Sequence, residues 1–146
     1  MLRTIQTFEV SLKAAIFRDG KLLLLQEADT GYWELPGGRI DVGEEWLPHE
    51  TIRIREITEE LGSTFKVRWL DQSLSWVRQR PTDNVYQVLI AQLAHFESGA
   101  EQLSAEHRDR QWTTPADWPA LALPPLSGYG DALPKIWQLM SPHTAQ

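Results

Sequence analysis

Apolar residues form two short runs near the start of the chain, separated by a turn. Residues 10–17 (VSLKAAIF) and 21–26 (KLLLLQ) have the length and apolar character of buried strands. Between them, Asp19-Gly20 is a typical two-residue hairpin turn. The pattern therefore predicts a β-hairpin, followed by a short extended piece over residues 32–35 that stops at Pro36-Gly37-Gly38.

A helical period replaces this pattern further along the chain. Ile54, Ile57 and Leu61 lie at i, i+3 and i+7, which places them on one face of a helix. Proline is favoured in a first helical turn and glycine just after the last one, and Pro48 and Gly62 occupy these positions. We predict a helix from about residue 48 to residue 62, with the three apolar side chains facing the core.

The remaining pattern adds strands and a second helix. Residues 64–75 and 85–96 are predicted as strands with a turn at residues 81–84, and residues 110–113 as a short strand. A helical turn at residues 115–118 and a helix at residues 129–140 follow, although Pro134 is unfavourable inside that helix. We expect an α/β fold, an α/β/α sandwich with a central mixed sheet, forming a single domain over residues 1–146.

Composition and charge narrow the classes of function. The net charge of −6 argues against binding to extended nucleic acid, which needs a basic surface. The chain contains no cysteine, so disulfides and thiolate chemistry are excluded and any metal must have oxygen or nitrogen ligands. No apolar run has the length of a membrane span, and the first residues lack a signal-peptide pattern. We therefore expect a cytoplasmic protein.

The predicted helix carries three glutamates, Glu56, Glu59 and Glu60, on one face. Like charges at this spacing destabilise a helix by about 0.2–0.5 kcal/mol per pair. One interpretation is a solvated face on which Arg55 pairs with Glu59 four residues later. The other is a divalent metal site, because Mg²⁺ and Mn²⁺ prefer carboxylate and carbonyl oxygens, and the Gly-Gly turn could add a backbone carbonyl.

The glycine turn and the acidic helix together resemble the Nudix box. That pattern is a glycine, five residues, a glutamate, seven residues and then R-E-U-x-E-E-x-G-U, with U a bulky aliphatic residue. Gly38 and Glu44 match the first half, and REITEELG at residues 55–62 matches the second. Ten residues, 45–54, precede Arg55 where the pattern has seven, and Ser63 replaces the final aliphatic residue. We interpret the longer spacing as a three-residue insertion around residues 45–48 that leaves the helix register intact.

The resemblance implies metal-dependent cleavage of a pyrophosphate bond in a nucleoside diphosphate derivative. It implies Mg²⁺ or Mn²⁺ as the cofactor. The metal ligands that it implies are Glu56, Glu59, Glu60 and the carbonyl of Gly38. Arg55 is expected to orient Glu59. The general base is either Glu106, in a segment (SAEHRDRQW) that resembles a downstream part of the family, or Glu56.

Substrate contacts are expected from residues near the glycine turn. Arg39 follows the turn and is placed at the phosphates, and Trp33 either stacks on a base or packs in the core. Glu44 is also placed at the substrate, unless the insertion transfers its role to Glu45.

Three other residues have alternative or minor interpretations. Arg78 and Arg80 are either phosphate contacts or solvated loop charges, and His107 is expected at the surface.

Other functions on the same fold are less well supported by the sequence. A nucleotide-binding regulator would tolerate loss of the box glutamates, whereas all three are present, and the isoprenoid isomerases that resemble this fold need a reactive cysteine. An RNA-decapping hydrolase fits poorly with the acidic charge. We expect a small nucleotide substrate, with a nucleoside triphosphate or small derivative favoured over ADP-ribose or another sugar nucleotide because no long N-terminal domain is present. A homodimer is a common assembly for so small a domain.

Overall fold

The described part of the chain, residues 2–80 and 83–144 of a computed structural model, contains seven strands and two α-helices. Side chains are described as far as residue 141. In chain order the elements are β1 (Glu9–Arg18), β2 (Lys21–Glu27), β3 (Trp33–Glu34), β4 (Gly37–Arg39), α1 (His49–Leu61), β5 (Lys66–Arg80), β6 (Val85–Ser98), β7 (His107–Thr113), a 3₁₀ turn (Trp118–Ala120) and α2 (Tyr129–Thr144). Within these residues, neither helix has the length and apolar character needed to cross a bilayer.

The strands form one mixed sheet in the order β3-β2-β1-β6-β5. β1 runs parallel to β6, and the other pairs are antiparallel. On its other edge β1 changes partner along its length, because residues 11–13 pair with β4 and residues 17–18 pair with β2. β2 also pairs with β7. The change of partner brings β3, β4 and the start of β1 close to one another.

Two apolar clusters cover the two faces of the sheet. Alternation along β1 directs Ala15 and Phe17 to one cluster and Ala14 and Ile16 to the other. The first cluster includes Tyr129, Leu133, Ile136 and Met140 of α2, and the second includes Ile57 and Leu61 of α1. β1 and β2 are therefore buried on both faces, which explains their continuous apolar sequence. This arrangement confirms the predicted α/β fold with a central mixed sheet.

Most predicted elements are present with small differences in length. The hairpin and α1 end within a residue or so of their predicted limits, whereas β5 and β6 are longer than predicted and β4 was not predicted. The predicted turn at residues 81–84 lies partly outside the described residues. α2 continues through Pro134 to Thr144. Burial of Leu133 and Ile136 beside the proline offsets the single helical hydrogen bond that it removes.

The predicted apolar stripe of α1 is wrong in one position. Ile54 is 48% exposed, whereas Ile52 and Arg53 are buried with Ile57 against the sheet. Arg53 donates hydrogen bonds from Nε to the carbonyl of Lys13 (2.9 Å) and from Nη2 to the carbonyl of Ile90 (2.8 Å). The aliphatic part of a buried arginine packs like an apolar side chain. The face of α1 that packs against the sheet is therefore different from the one that the apolar residues alone predict.

Candidate active site

A polar cavity of about 340 Å³ opens between the glycine turn, the start of β1 and the acidic face of α1. Its lining is dominated by ionisable side chains, with six carboxyl groups and four cationic groups. The acidic members are Glu27, Glu34, Asp41, Glu56, Glu60 and Glu106, and the cationic members are Lys13, Arg39, Arg78 and Arg80. The cavity therefore has cationic groups that can contact anions and enough carboxylates to bind a cation.

Glycines allow the turn before α1 to approach the acidic helix. Gly37 has φ of 135°, and a methyl group built on it would overlap the backbone of Leu12. A methyl group on Gly38 would overlap the carboxylate of Glu56. The amide of Gly37 donates to Oε1 of Glu60 (3.1 Å). The two glycines thus bring the backbone into contact with both carboxylates.

Glu56 and Glu60 form a buried acidic pair one helical turn apart. The side chain of Glu60 is 5% exposed and that of Glu56 is 15% exposed. Burial raises the pKa of Glu60 to about 8, and burial likewise raises the pKa of Glu56. Two desolvated carboxyl groups in contact favour a shared proton or a bound cation. The pair therefore suits a divalent metal ion, for which carboxylate oxygens are the preferred ligands.

Glu59 lies outside this pair. Its side chain is 58% exposed and its carboxylate pairs with Nη1 of Arg55 (3.2 Å). The described residues contain no ready-made group of three or more acidic, histidine or cysteine side chains around a metal position. Glu56 and Glu60 are thus close to each other, and Glu59 would join them only after its side chain rotates.

Arg55 connects the helix to the loop that carries the insertion. It donates two hydrogen bonds to Glu44, at 2.8 and 2.7 Å, and also pairs with Glu56 (3.2 Å). The hydrogen bonds from Arg55 lower the pKa of Glu44. Glu45 instead accepts from the amide of Gly43 (2.7 Å). The structure therefore keeps Glu44, and not Glu45, as the partner of the helix, and places it against Arg55 rather than in the lining of the cavity.

Lys13 and Glu34 form a buried ion pair that sequence reasoning missed. Nζ of Lys13 lies 3.6 Å from Oε1 of Glu34, which also accepts from Nη1 of Arg78 (2.5 Å). Burial acts to raise the pKa of Glu34, but the charges of Lys13 and Arg78 outweigh it and lower that pKa. The available signal was a single lysine inside the apolar run VSLKAAIF and a glutamate beside the Pro-Gly-Gly turn.

The arginines predicted as phosphate contacts all line the cavity. Arg78 also donates from Nε to Gln87 (2.7 Å) and is a fixed side chain at the end of β5. Arg39 and Arg80 meet at Glu9, with Nη1 of each 3.4 Å from Oε1. Of the two interpretations, a solvated loop charge is therefore wrong for Arg78.

The aromatic side chains beside the cavity divide between core and surface. Trp33 is 8% exposed and packs in the apolar cluster of α2, so of its two interpretations the core one is correct and stacking on a base is not. Burying its large apolar ring favours that position. Tyr32 borders a smaller cavity of about 210 Å³ together with Pro124 and Pro125.

Glu106 and His107 both line the polar cavity. Glu106 is exposed at the rim. The side chain of His107 is 12% exposed and its Nε2 lies 3.7 Å from Oε2 of Glu60, so the expected surface position is wrong. Burial lowers the pKa of His107, which favours the neutral imidazole. Its Nδ1 is buried and has no hydrogen-bond partner among the described residues.

A domain model described as the NUDIX domain matches residues 8–130. The chain belongs to the Nudix family. The matched region runs from the residue before β1 to the start of α2, and it includes the glycine turn, the insertion and the acidic helix. The longer spacing between Glu44 and Arg55 therefore lies within the matched region.

Similar proteins agree with this assignment. A MutT-like protein of Streptomyces ambofaciens is 34% identical over 107 residues, which are 73% of this chain and 64% of that protein. The chain thus spans less than two thirds of that relative. A UDP-X diphosphatase structure has a TM-score of 0.75 at 21% identity, with 97% of this chain and 66% of that chain covered. An ADP-ribose pyrophosphatase of Streptococcus suis has a TM-score of 0.66 at 25% identity, with 92% and 93% covered.

Proposed function

We propose that this Nudix domain hydrolyses a pyrophosphate bond in a nucleoside diphosphate derivative, with Mg²⁺ or Mn²⁺ as cofactor. The observation that carries the proposal is the pair of buried Glu60 and largely buried Glu56 in the same polar cavity as Lys13, Arg78 and Arg80. Two similar structures, the UDP-X diphosphatase and the ADP-ribose pyrophosphatase, are named for reactions of this class. Their names support the proposal for this chain.

The metal ligands in this proposal are Glu56 and Glu60, with Glu59 and the carbonyl of Gly38 as further candidates. The bound cation would neutralise phosphate oxygens and lower the pKa of a coordinated water. Arg55 acts as a positioning residue, because it holds Glu59 and, through Glu44, the loop before the helix.

The arginines of the cavity are proposed to bind the diphosphate. Guanidinium groups form charge-assisted, often bidentate hydrogen bonds with phosphate oxygens. Arg78 is already fixed by Glu34 and Gln87. It can therefore orient a phosphate with little further loss of conformational entropy in its own side chain. Arg39 and Arg80 flank it and share a single carboxylate, that of Glu9.

Glu106 is the proposed general base, with Glu56 as the alternative. It borders the cavity in the turn before β7, and its exposed side chain is free to rotate towards an attacking water. Glu56 is already close to Glu60 and Gly38, which suits a ligand better than a base. We further propose that residues 1–146 act as one domain in the cytoplasm, on small nucleotides, with homodimerisation as the assembly to test.

The test measures the nucleotide, phosphate and pyrophosphate products formed from nucleoside triphosphates, sugar nucleotides, ADP-ribose and dinucleoside polyphosphates, with Mg²⁺, with Mn²⁺ and with a chelator. Glu56→Gln and Glu60→Gln should each lower kcat at least about 100-fold, because metal charge stabilisation contributes several kcal/mol to the barrier. Glu50→Gln, an exposed carboxylate on the same helix, is the matched control.

Either of two results would overturn the proposal. One is a folded protein that turns over no member of the panel with either metal. The other is turnover that Glu60→Gln leaves at the level of the Glu50→Gln control.

A further inference from the structure

The segment before β7 is tied by its backbone to the end of α1. The amide of Ser104 donates to the carbonyl of Glu60 (3.2 Å), and that of Gln102 donates to the carbonyl of Leu61 (2.9 Å). The amide of His107 in turn donates to the carbonyl of Ser104 (3.1 Å). The backbone of His107 is therefore held at a fixed position relative to Glu60.

An irregularity in the pairing of β2 with β7 determines which side chain of β7 lines the polar cavity. The register shifts after Gln26, and Glu27 then pairs with His107. Arg108 is the extra residue that this shift leaves in β7, and a bulge of this kind redirects side chains. His107 lines the polar cavity, whereas the guanidinium of Arg108 lies beside Gly31, in the turn between β2 and β3.

The two oxygens of the Glu60 carboxylate face different donor groups. Oε1 accepts from the amide of Gly37 (3.1 Å), and Oε2 lies 3.7 Å from Nε2 of His107. This separation exceeds an N–H···O hydrogen bond by roughly 0.5–1 Å, which a small rotation of either side chain removes. Both side chains are largely buried, so water competes weakly for the contact between them.

The unpartnered groups beside the imidazole indicate which of its nitrogens carries the proton. Nδ1 of His107 and Oγ of Ser104 are both buried and have no hydrogen-bond partner among the described residues. A neutral imidazole has one N–H donor and one acceptor nitrogen. A proton on Nδ1 would be a buried donor without an acceptor, and the lone pair of Nε2 would then face a carboxylate. The proton therefore belongs on Nε2, where it points towards Glu60.

We propose that His107 is a positioning residue of the metal site, whose Nε2–H donates to Oε2 of Glu60 and, together with the amide of Gly37, holds that carboxylate in the orientation that binds a cation. This inference rests on the proposed function, because it takes Glu60 as a metal ligand. Carboxylates that bind metals are themselves hydrogen-bonded, and loss of such a partner lowers metal affinity or activity about 10- to 100-fold. The role differs from that of the adjacent Glu106, which is proposed to act on the attacking water.

The first test measures the Kd of Mn²⁺ for the full chain without nucleotide, from the electron paramagnetic resonance signal of the free ion. A glutamine side chain can place its amide nitrogen near the position of Nε2, whereas an asparagine reaches only as far as Nδ1. We expect His107→Asn to raise the Kd about 10-fold or more, and His107→Gln to keep it within about 3-fold of the parent value. His49→Asn changes an exposed histidine at the start of α1, outside the cavity lining, and should leave the Kd unchanged.

The tautomer of His107 provides a second readout, which needs no variant to fold. Two-bond correlations between the ring protons and the ring nitrogens in NMR spectra distinguish a proton on Nε2 from one on Nδ1. In the unmodified protein we expect the assigned signals of His107 to show the neutral ring with the proton on Nε2. A proton on Nδ1 alone would overturn the inference.

The outcomes separate this inference from the proposed function. Equal rises in Kd for His107→Gln and His107→Asn, or no rise for either, overturn the inference and leave the hydrolase proposal intact. Mn²⁺ binding that Glu60→Gln does not weaken overturns both this inference and the proposed metal ligands. Thermal unfolding checks that each variant is folded, and if His107→Asn does not fold, the tautomer decides.

Discussion

Glu60 is a carboxyl group removed from water on the acidic face of α1. It is 4% exposed, accepts a hydrogen bond from Gly37, and lies near both Glu56 and His107. Its burial raises its pKa to about 8, so in metal-free protein at neutral pH it holds a proton that a free glutamate would have lost. A site built in this way binds a cation in competition with a proton, so metal affinity should increase with pH.

The raised pKa of Glu60 makes stability depend on pH. Between pH 4.5 and about 8 the native state binds a proton that the unfolded chain does not, so the free energy of unfolding falls as pH rises. Glu60→Gln has a neutral side chain at every pH, so the variant should lack this fall in the free energy of unfolding. In a chelator, we expect the variant to be more stable than the parent by about 1–3 kcal/mol at pH 8 and nearly equal at pH 5.

Urea unfolding at the two pH values measures this difference. Glu97→Gln, an exposed carboxylate in β6, provides the control and should show no such dependence on pH. A difference between Glu60→Gln and the parent that is the same at pH 5 and pH 8 would contradict the assignment of the buried proton.

Helix α1 is positioned by a buried cation as well as by apolar packing. Arg53 joins the helix to the carbonyl of Lys13 on β1 and to that of Ile90 on β6. Burial lowers the pKa of Arg53 to about 10, which still leaves it charged at neutral pH. Through this contact the element that carries Glu56 and Glu60 is fixed relative to the strand that carries Lys13.

Removing this contact should destabilise the protein markedly. Arg53→Met keeps much of the apolar stem but leaves two carbonyl groups without their donors, so we expect a loss of about 2–4 kcal/mol in the free energy of unfolding. Ile54→Ala, the next residue on an exposed face, should cost about 1 kcal/mol or less. Denaturant unfolding distinguishes them, and equal losses in the two variants would contradict the role assigned to Arg53.

Local sequence signals predicted the helices and strands. The features that they did not predict depend on contacts between residues that are far apart in the chain. Pro48 and Gly62 bound α1 correctly, and Asp19-Gly20 forms the hairpin turn, because these preferences depend only on neighbouring residues. The burial of Arg53 depends on carbonyls 40 and 37 residues away. Likewise, the local sequence indicates that Glu34 is only a charged residue at the end of a strand. Its contact with Arg78, 44 residues later, follows from the fold.

The same distinction applies to the candidate site. The box residues lie in one contiguous segment, so the resemblance to the Nudix box was enough to place the glycine turn beside the acidic helix. Among the cationic side chains of the cavity, Lys13 comes from β1 and Arg78 from β5. Their proximity follows only from the order of the strands in the sheet. The sequence left two interpretations of Trp33, because an aromatic residue in a strand can lie either in the core or beside the cleft.

Metal binding should stabilise the molecule as a whole. A cation that binds only the native state adds RT ln(1 + [L]/Kd) to the free energy of unfolding, about 1.4 kcal/mol at a concentration ten times Kd. We therefore expect Mn²⁺ to raise the Tm of the parent protein and to leave that of the Glu56→Gln, Glu60→Gln double variant unchanged. Differential scanning fluorimetry against a Mn²⁺ series provides the measurement, and an equal rise in both proteins would place the metal elsewhere.

The parallel pairing of β1 with β6 has a consequence for biosynthesis. Glu9 pairs with Gln87, so the first strand waits for a partner that is synthesised 78 residues later. At about 5–20 residues per second, that interval lasts roughly 4–16 s, during which β1 lacks its partner strand β6 and one apolar face of the hairpin lacks its covering helix α2. Ribosome-bound chains whose emerged part stops before residue 85 should therefore remain protease-sensitive, and protection should begin once β6 has left the exit tunnel. For several seconds of each synthesis, the strand at the centre of the finished sheet is the segment most exposed to aggregation.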